Sequence, residues 1–354
     1  MTDLTINQAS ESDAIEHAAN VLLAGHLVAF PTETVYGLGA DAENPDAIKR
    51  IYQAKGRPLD HPIIVHVAPD VDLNHWASDV PPQAYLLIEA FWPGPLTLIL
   101  PRQHSVPAQV SGGQATIGLR CPSHPIAQAL IRALASRKPS GQAGVAAPSA
   151  NLFGHVSPTL AEHVRAEFGE LIQNGLPVLE GGASEVGIES TIVDLSRVQA
   201  GQGVYLLRPG SIGLAELERV LGEPVYGRDE HAPRVSGSLR AHYAPHTPIS
   251  LVAADKLLAC CLDWLKKHPE MQVVAVSHEK NLPMAQAHDT PMQAIKYIQL
   301  SAHPKAYAHD LYATLRAVDL MNAAHIFWAM PPQGADWLGI QDRLARAAAA
   351  FEDS

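Results

Sequence analysis

Through the first two hundred residues the apolar positions fall into short blocks whose spacing alternates between the helical and the strand repeat. "SDAIEHAANVLLAG" carries apolar residues at helical intervals between Ser12, a suitable cap, and Gly25, so a helix is expected there, followed by the strand "HLVAF". Asn44 and Pro45 open a second helix through "DAIKRIYQA", because Asn caps well and proline suits the first helical turn. The unbroken apolar run Pro62-Ile63-Ile64-Val65 is too short for a core helix and reads as a strand buried on both faces. "PQAYLLIEAF" predicts a helix broken by "WPGP", with Trp92 in the core; "LTLIL" and "ATIGLR" predict strands, and "SHPIAQALIRALA" another capped helix. "VAAPSANLFGHVSPTLAEHVRAEFG" runs from strand to loop to helix. Ser157 is its expected N-cap and Pro158 its first helical residue, which would leave free backbone N–H groups for an anion. "LPVLEGG", "STIVDLS" and "GVYLLRPG" are expected to complete one sheet.

Between 222 and 248 the periodicity lapses into "GEPVYGRDEHAPRVSGSLRAHYAPHTP", dense in Pro, Gly and His, which reads as a linker. Beyond it, "ISLVAA", "QVVAVS" and "HIFWAM" as strands, with "DKLLACCLDWLKKH", "KAYAHDLYATLRAVDLMN" and "QDRLARAAAAF" as helices, suggest a smaller α/β unit. The expected organisation is therefore a mixed α/β domain over 1–221, a linker over 222–248 and a second α/β domain over 249–354.

Composition narrows the function classes. Hydrophobic residues make up 47% and charged residues 17%, a globular balance, and neither a membrane-length apolar run nor an apolar leader is visible, so a soluble, cytoplasmic protein is expected. With 25 Lys+Arg against 36 Asp+Glu the net charge of −11 opposes non-specific nucleic-acid binding, so any polyanion must meet a local patch. Cys121, Cys260 and Cys261 form no disulfide or zinc framework, and no metal motif occurs among the histidines; no metal ligand is assigned to the chain.

Five clusters carry candidate chemistry: "FPTETVYGLGADA" (30–42), "KGRPLDHPIIVH" (55–66), "TIGLRCPSHP" (116–125), "APSANLFGHVSPT" (147–159) and "GGASEVGIESTIVD" (181–194), the last followed by "LLRPGS". Each joins a strand to a turn of small residues and hydroxyls, which admit a ligand to the backbone and offer neutral hydrogen bonds. Arg57, Arg120 and Arg208 are cations at any pH, and Lys55 beside Gly56 suits a phosphate. The same residues also suit a solvated turn with two core histidines, Asx and ST turns at Ser149 and Asn151, and a polar strand start at Ser190-Thr191. No Walker loop, dinucleotide fingerprint, nucleophile elbow or activated nucleophile occurs, so chemistry here would depend on positioning and charge stabilisation, as in phosphoryl or nucleotidyl transfer.

Taken in order, "PTETVYGLGADA", "KGRP" with "HPIIVHV", "WPGPLTLIL", "GLRCPSHP", "APSAN", "GIESTIVD" and "LRPG" closely resemble the threonylcarbamoyl-AMP synthase family, over about residues 13–215. "HYAP" and "GIQDRLARAA" are similar to its longer, two-domain form. The resemblance implies a twisted mixed-sheet YrdC-like domain with a smaller C-terminal Rossmann-like α/β domain. It implies formation of threonylcarbamoyl-AMP and pyrophosphate from L-threonine, bicarbonate or CO2, and ATP with Mg2+, feeding t6A modification of tRNA through downstream transfer proteins. Carried over by position, Thr34, His66, Arg120, Ala147 and Ser190 would line the threonine site. Arg57, His61, Thr116, Ser149, Ser157 and Arg208 would face ATP, Lys55 and Arg57 would be the catalytic cations, and Tyr243 of the linker would close as a lid. The rival readings are a double-stranded RNA or tRNA-binding module without catalysis, and a carbamoyl-phosphate-using transferase that carries a similar domain.

Overall fold

Strand pairing brings four of the five candidate clusters of the first half onto one sheet, and the fifth, 147–159, follows directly from one of its strands. The computed structural model describes residues 2–279 and 292–352. Its chain divides into two compact units: one ends at Phe153 and resumes over Ser157–Ser238, the other comprises Gly154–Val156 and the chain from Leu239 onward. In the first unit β1 (Val28–Phe30), β2 (Gly37–Asp41), β3 (Ile64–Val67), β4 (Leu96–Pro101), β5 (Thr116–Arg120), β6 (Gly144–Ala146), β7 (Thr191–Asp194), β8 (Val204–Arg208) and β9 (Val225–Gly227) form a mixed sheet in the order β1-β2-β6-β3-β5-β4-β7-β8-β9. β3 runs parallel to β5 and β4 to β7, whereas β4 and β5 are antiparallel.

The strand repeat of two decides what each face carries. Val65, Val67, Leu96, Leu98, Leu100, Ile117, Leu119 and Val193 point into one core, shared with Ile48 and Ile51 of the helix Pro45–Lys55 and with Trp76 and Leu87. The alternate positions, Ile64 and His66 on β3, Thr97 and Ile99 on β4, Thr116 and Arg120 on β5, therefore share the opposite face. There Ile99, Ile192 and Leu207 pack with Val235, while Val145, paired with His66, packs with Phe30 and with Ile126 and Leu130 of the helix Pro125–Ala135.

Most predicted elements form, and the exceptions have local causes. The first helix runs Thr2–Leu23, so Ser12 lies within it: no Gly or Pro precedes Ser12 to stop the helix extending toward the N-terminus. "LPVLEGG" is not a strand; Val178 makes a single parallel bridge to Ala29 beside the short edge strand β1. The helix after the "APSAN" loop is Ala161–Glu167 with Leu160 at its N-cap. Ser157 and Pro158 precede it, because the Pro158 carbonyl is taken by Tyr36 N–H at 2.8 Å, and Ser157 is not a helix cap. Trp92 is only partly buried and donates Nε1–H to the Leu96 carbonyl at 2.8 Å.

The second unit holds β10 (Ile249–Val252), β11 (Val273–Ser277), β12 (Ile295–Gln299) and β13 (His325–Ala329), all parallel, in the order β10-β13-β11-β12. β12 escapes sequence reading because "IKYIQ" is a half-exposed edge strand with no clean alternation. Tyr243, the expected lid residue, packs within this unit: its ring lies 5.6 Å from Tyr312 and 5.8 Å from the Arg343 guanidinium. Its backbone sits at φ 63. Residues 222–238, which were expected to be linker, belong to the first unit and include β9. Among the described residues no helix is long and apolar enough to cross a membrane.

Candidate functional site

Register lines the polar groups of the open face into one row. His66 on β3 pairs with Arg120 on β5; one step beyond the Leu98 to Leu119 pair, Arg120 faces Thr97; Thr97 pairs with Ile192, and Ile192 with Arg208. Cross-strand neighbours of this kind share a face and lie within side-chain reach. Five strands thus contribute one transverse line containing two buried guanidinium groups, Arg120 4% and Arg208 2% exposed.

Arg120 is held on three sides. Its Nε donates to the Gly94 carbonyl at 3.3 Å, Nη1 donates to Thr34 Oγ1 at 2.8 Å, and Nη2 lies 2.7 Å from Glu33 Oε1. Thr34 Oγ1 is itself 2.9 Å from Thr32 Oγ1, which donates to the Val35 carbonyl, so the "PTETV" turn is an internally bonded platform. Burial and the neighbouring Arg120 push the His66 imidazole down to about 3, which keeps it neutral, and its Nδ1 has no hydrogen-bond partner although the residue is 3% exposed. Ala147 closes this end, its N–H on the Ile64 carbonyl at 3.0 Å and its Cβ facing Gly37.

The second half of the row joins Ser190 to Arg208. Arg208 Nε and Nη2 donate to the Ser190 carbonyl at 3.1 and 2.8 Å, Nη2 reaches Ser190 Oγ at 3.2 Å, and Ser190 Oγ is 2.8 Å from Thr97 Oγ1. Gly210 is required beside them, since a Cβ there would sit 2.4 Å from Thr191 N.

Lys55 and Arg57 flank Gly56, the left-handed cap of the helix Pro45–Lys55. Lys55 Nζ donates to the Ser149 carbonyl at 2.6 Å and to the Asn151 carbonyl, so it braces the "APSAN" loop from inside. Burial and the adjacent Arg57 hold its ammonium well below the usual lysine range. Arg57 donates Nη2–H to the Pro62 carbonyl at 2.8 Å, and its guanidinium lies 5.8 Å from the Phe153 ring. His61 packs edge-on against the same ring at 5.3 Å, its pKa lowered by partial burial and by Arg57. Ser157 Oγ donates to Glu189 Oε1 at 2.6 Å. Thr116 lines the apolar patch with Ile64, Gly118 and Ile192.

Sequence reading missed four contributors. Glu33 and Glu189 were legible as single carboxylates inside otherwise small and hydroxylic motifs, and Thr97 as a hydroxyl interrupting an apolar strand. Ser236 had no sequence signal, because only folding brings residues 234–236 back onto the sheet. Arg234 N–H and carbonyl pair with the Gln114 side chain at 2.8 and 3.0 Å, and Arg234 Nη1 meets Asp60 at 2.5 Å. The Ser236 carbonyl accepts from Arg208 Nη1 at 2.9 Å, and Ser236 Oγ lies 3.4 Å from Arg57 Nη2.

Comparison with known proteins agrees with this architecture. A family model described as "Telomere recombination" matches residues 20–210, and one described as "Threonylcarbamoyl-AMP synthase, C-terminal domain" matches residues 212–349. The chain is 35% identical to the threonylcarbamoyl-AMP synthase of Pyrococcus abyssi, with 97% of this chain and 96% of that protein covered. It is 35% identical to the Bacillus subtilis protein of the same name, covering 98% and 96%. The crystal structure of P. abyssi Sua5 complexed with L-threonine superposes with a TM-score of 0.80 at 34% identity, covering 94% of each chain. With the domain order, the site-bearing sheet and full-length relatives in agreement, the chain belongs to the two-domain threonylcarbamoyl-AMP synthase family.

Proposed function

We propose that this protein makes L-threonylcarbamoyl-AMP and pyrophosphate from L-threonine, bicarbonate or CO2, and ATP, for t6A modification of tRNA. The observation that carries the reading is the placement of Arg120 and Arg208 in one buried row, with Lys55 and Arg57 on the adjoining strand-mouth turn. A zwitterionic amino acid and a triphosphate both need fixed positive charge, and a site with no protein nucleophile must work through positioning and electrostatics.

In this assignment Thr34, His66, Arg120, Ala147 and Ser190 surround threonine, and Arg57, His61, Thr116, Ser149, Ser157 and Arg208 face the nucleotide. The carbamate oxygen of threonine attacks the α-phosphorus, a new P–O bond forms, and the bond to pyrophosphate breaks; this is nucleotidyl transfer. Arg57 and Arg208 neutralise the charge gathered on the leaving group. Lys55 acts by holding the Ser149 and Asn151 carbonyls, so that the loop presents its hydroxyl and amide groups in fixed positions. Neutral His66 suits contact with the threonine hydroxyl better than contact with its ammonium. Discrimination against serine then rests on one methyl group, worth about 1–3 kcal/mol.

Mg2+ enters with ATP, held through phosphates and water. Of the carboxylates at the site, Glu189 accepts from Ser157 and Glu33 lies against the Arg120 guanidinium, whose positive charge disfavours a second cation there, which fits an ion brought by the nucleotide.

Incubation of the full chain with Mg-ATP, L-threonine and labelled bicarbonate, followed by rapid chromatography and mass analysis, tests the proposal. The expected result is threonylcarbamoyl-AMP with equimolar pyrophosphate, dependent on all three substrates. Folded, ATP-binding protein that forms no product, while binding RNA with steep salt dependence, would favour the RNA-binding reading instead.

A further inference from the structure

Glu33 presents a buried carboxylate that accepts no hydrogen bond at either oxygen. It is 4% exposed; Oε1 sits 2.7 Å from Arg120 Nη2 as an ion pair, and Oε2 has no partner. A buried carboxylate oxygen without a donor is rare in a folded protein and needs an explanation. The guanidinium beside it is also incompletely used. Of its five N–H groups, one is directed to Gly94 and one to Thr34; Nη2 lies against Glu33 as an ion pair and donates no hydrogen bond, which leaves one N–H on Nη1 and both on Nη2 to be used.

We propose that Glu33 recognises the α-ammonium group of the amino-acid substrate and takes its proton. The pair is then a fixed dipole matched to a zwitterion, with Arg120 for the carboxylate and Glu33 for the ammonium. The inference rests on the threonylcarbamoyl-AMP reading, because that reaction needs a free amine where water supplies an ammonium ion. An ammonium N–H bond breaks and its proton passes to Glu33 Oε2; the freed nitrogen lone pair forms the C–N bond to CO2, whose π electrons move onto oxygen, and the nitrogen of this adduct then loses a second proton to water to give the carbamate. The charged and titratable groups facing Glu33 are Arg120 and Cys121, with His66 beside Arg120. Burial and Glu33 push the Cys121 thiol up to about 12, and His66 is held at about 3, so both are neutral and Arg120 is the only charge among them.

The test measures binding of L-threonine and of 2,3-dihydroxybutanoate, in which a hydroxyl replaces the ammonium, to the wild type and to Glu33→Gln by calorimetry. The wild type is expected to prefer threonine by about tenfold or more, and Glu33→Gln to lose most of that preference. Turnover of Glu33→Gln at saturating threonine is expected to rise with pH as solution supplies the free amine, while the wild type responds less. A wild-type preference near one overturns the proposal even if the variant fails to fold. So does a Glu33→Gln enzyme with an unchanged preference and the wild-type pH profile. Failure of the parent reading would be seen separately, as absence of the adenylate from wild-type reactions.

Discussion

Replacing Arg120 by Met tests whether the Glu33 to Arg120 pair is part of the folded framework as well as of the site. Both side chains are almost wholly buried, 5% and 4% exposed, and their charged atoms are 2.7 Å apart. Removing only the cation leaves a carboxylate in the interior without its counter-charge, a loss of about 3–5 kcal/mol. The vacated hydrogen bonds to Thr34 and Gly94 add to the strain on the "PTETV" turn. Adding Glu33→Gln to Arg120→Met removes the uncompensated charge. The double variant should recover most of the loss, to within about 1–2 kcal/mol of wild type, because an apolar side chain with a neutral amide has no ion to desolvate. Urea unfolding of the full chain by circular dichroism, with hydrogen exchange of peptides spanning β3 and β5 to assign the transition to the first unit, reads both changes. Adenylate synthesis should be absent from both variants. A double variant no more stable than Arg120→Met would refute the reasoning, since it would place the cost in lost packing rather than in a stranded charge.

Arg57→Ala should reduce adenylate formation by at least about a hundredfold while leaving the melting temperature within a few degrees, measured by pyrophosphate release; near-normal turnover would count against a phosphate role. Ser157→Ala leaves the buried Glu189 short of a donor and should cost about 1–3 kcal/mol together with a raised KM for ATP, read from urea unfolding and initial rates. His66 is neutral in the fold and titrates normally when unfolded, so its contribution is fully present above about pH 6.5 and lost progressively down to about pH 3. By pH 5 that amounts to roughly 2 kcal/mol, and His66→Gln should flatten this part of the stability curve. Gly210→Ala should disturb Ser190 and Thr191 and lower activity with a detectable stability loss, because the new Cβ meets backbone nitrogen at 2.4 Å.

Much of the architecture is written in local pattern. The Asn44-Pro45 start is decided by side-chain capping and forms as read, and the apolar run at Pro62–Val65 leads into a strand that lies two residues later, at Ile64–Val67. The ordered motifs also brought Thr34, Lys55, Arg57, His66, Arg120, Ser190 and Arg208 into view before any contact was known. What the chain could not announce was pairing at a distance. The alignment of His66, Arg120 and Arg208 depends on the order β3-β5-β4-β7-β8, and strand order is set by which faces bury together rather than by any residue's own preference. Ser157 looked like a helix cap because its neighbours suit one, yet Glu189, 32 positions away, takes its hydroxyl. Glu33 was one carboxylate inside the "FPTETVYGLGADA" cluster until folding set it against Arg120, and Ser236 lay in an aperiodic stretch until Gln114 and Asp60 held Arg234 in place. Local sequence determined the elements and the kinds of group they carry; only tertiary burial decided which charges would face one another, because Coulomb attraction and desolvation act between neighbours in space.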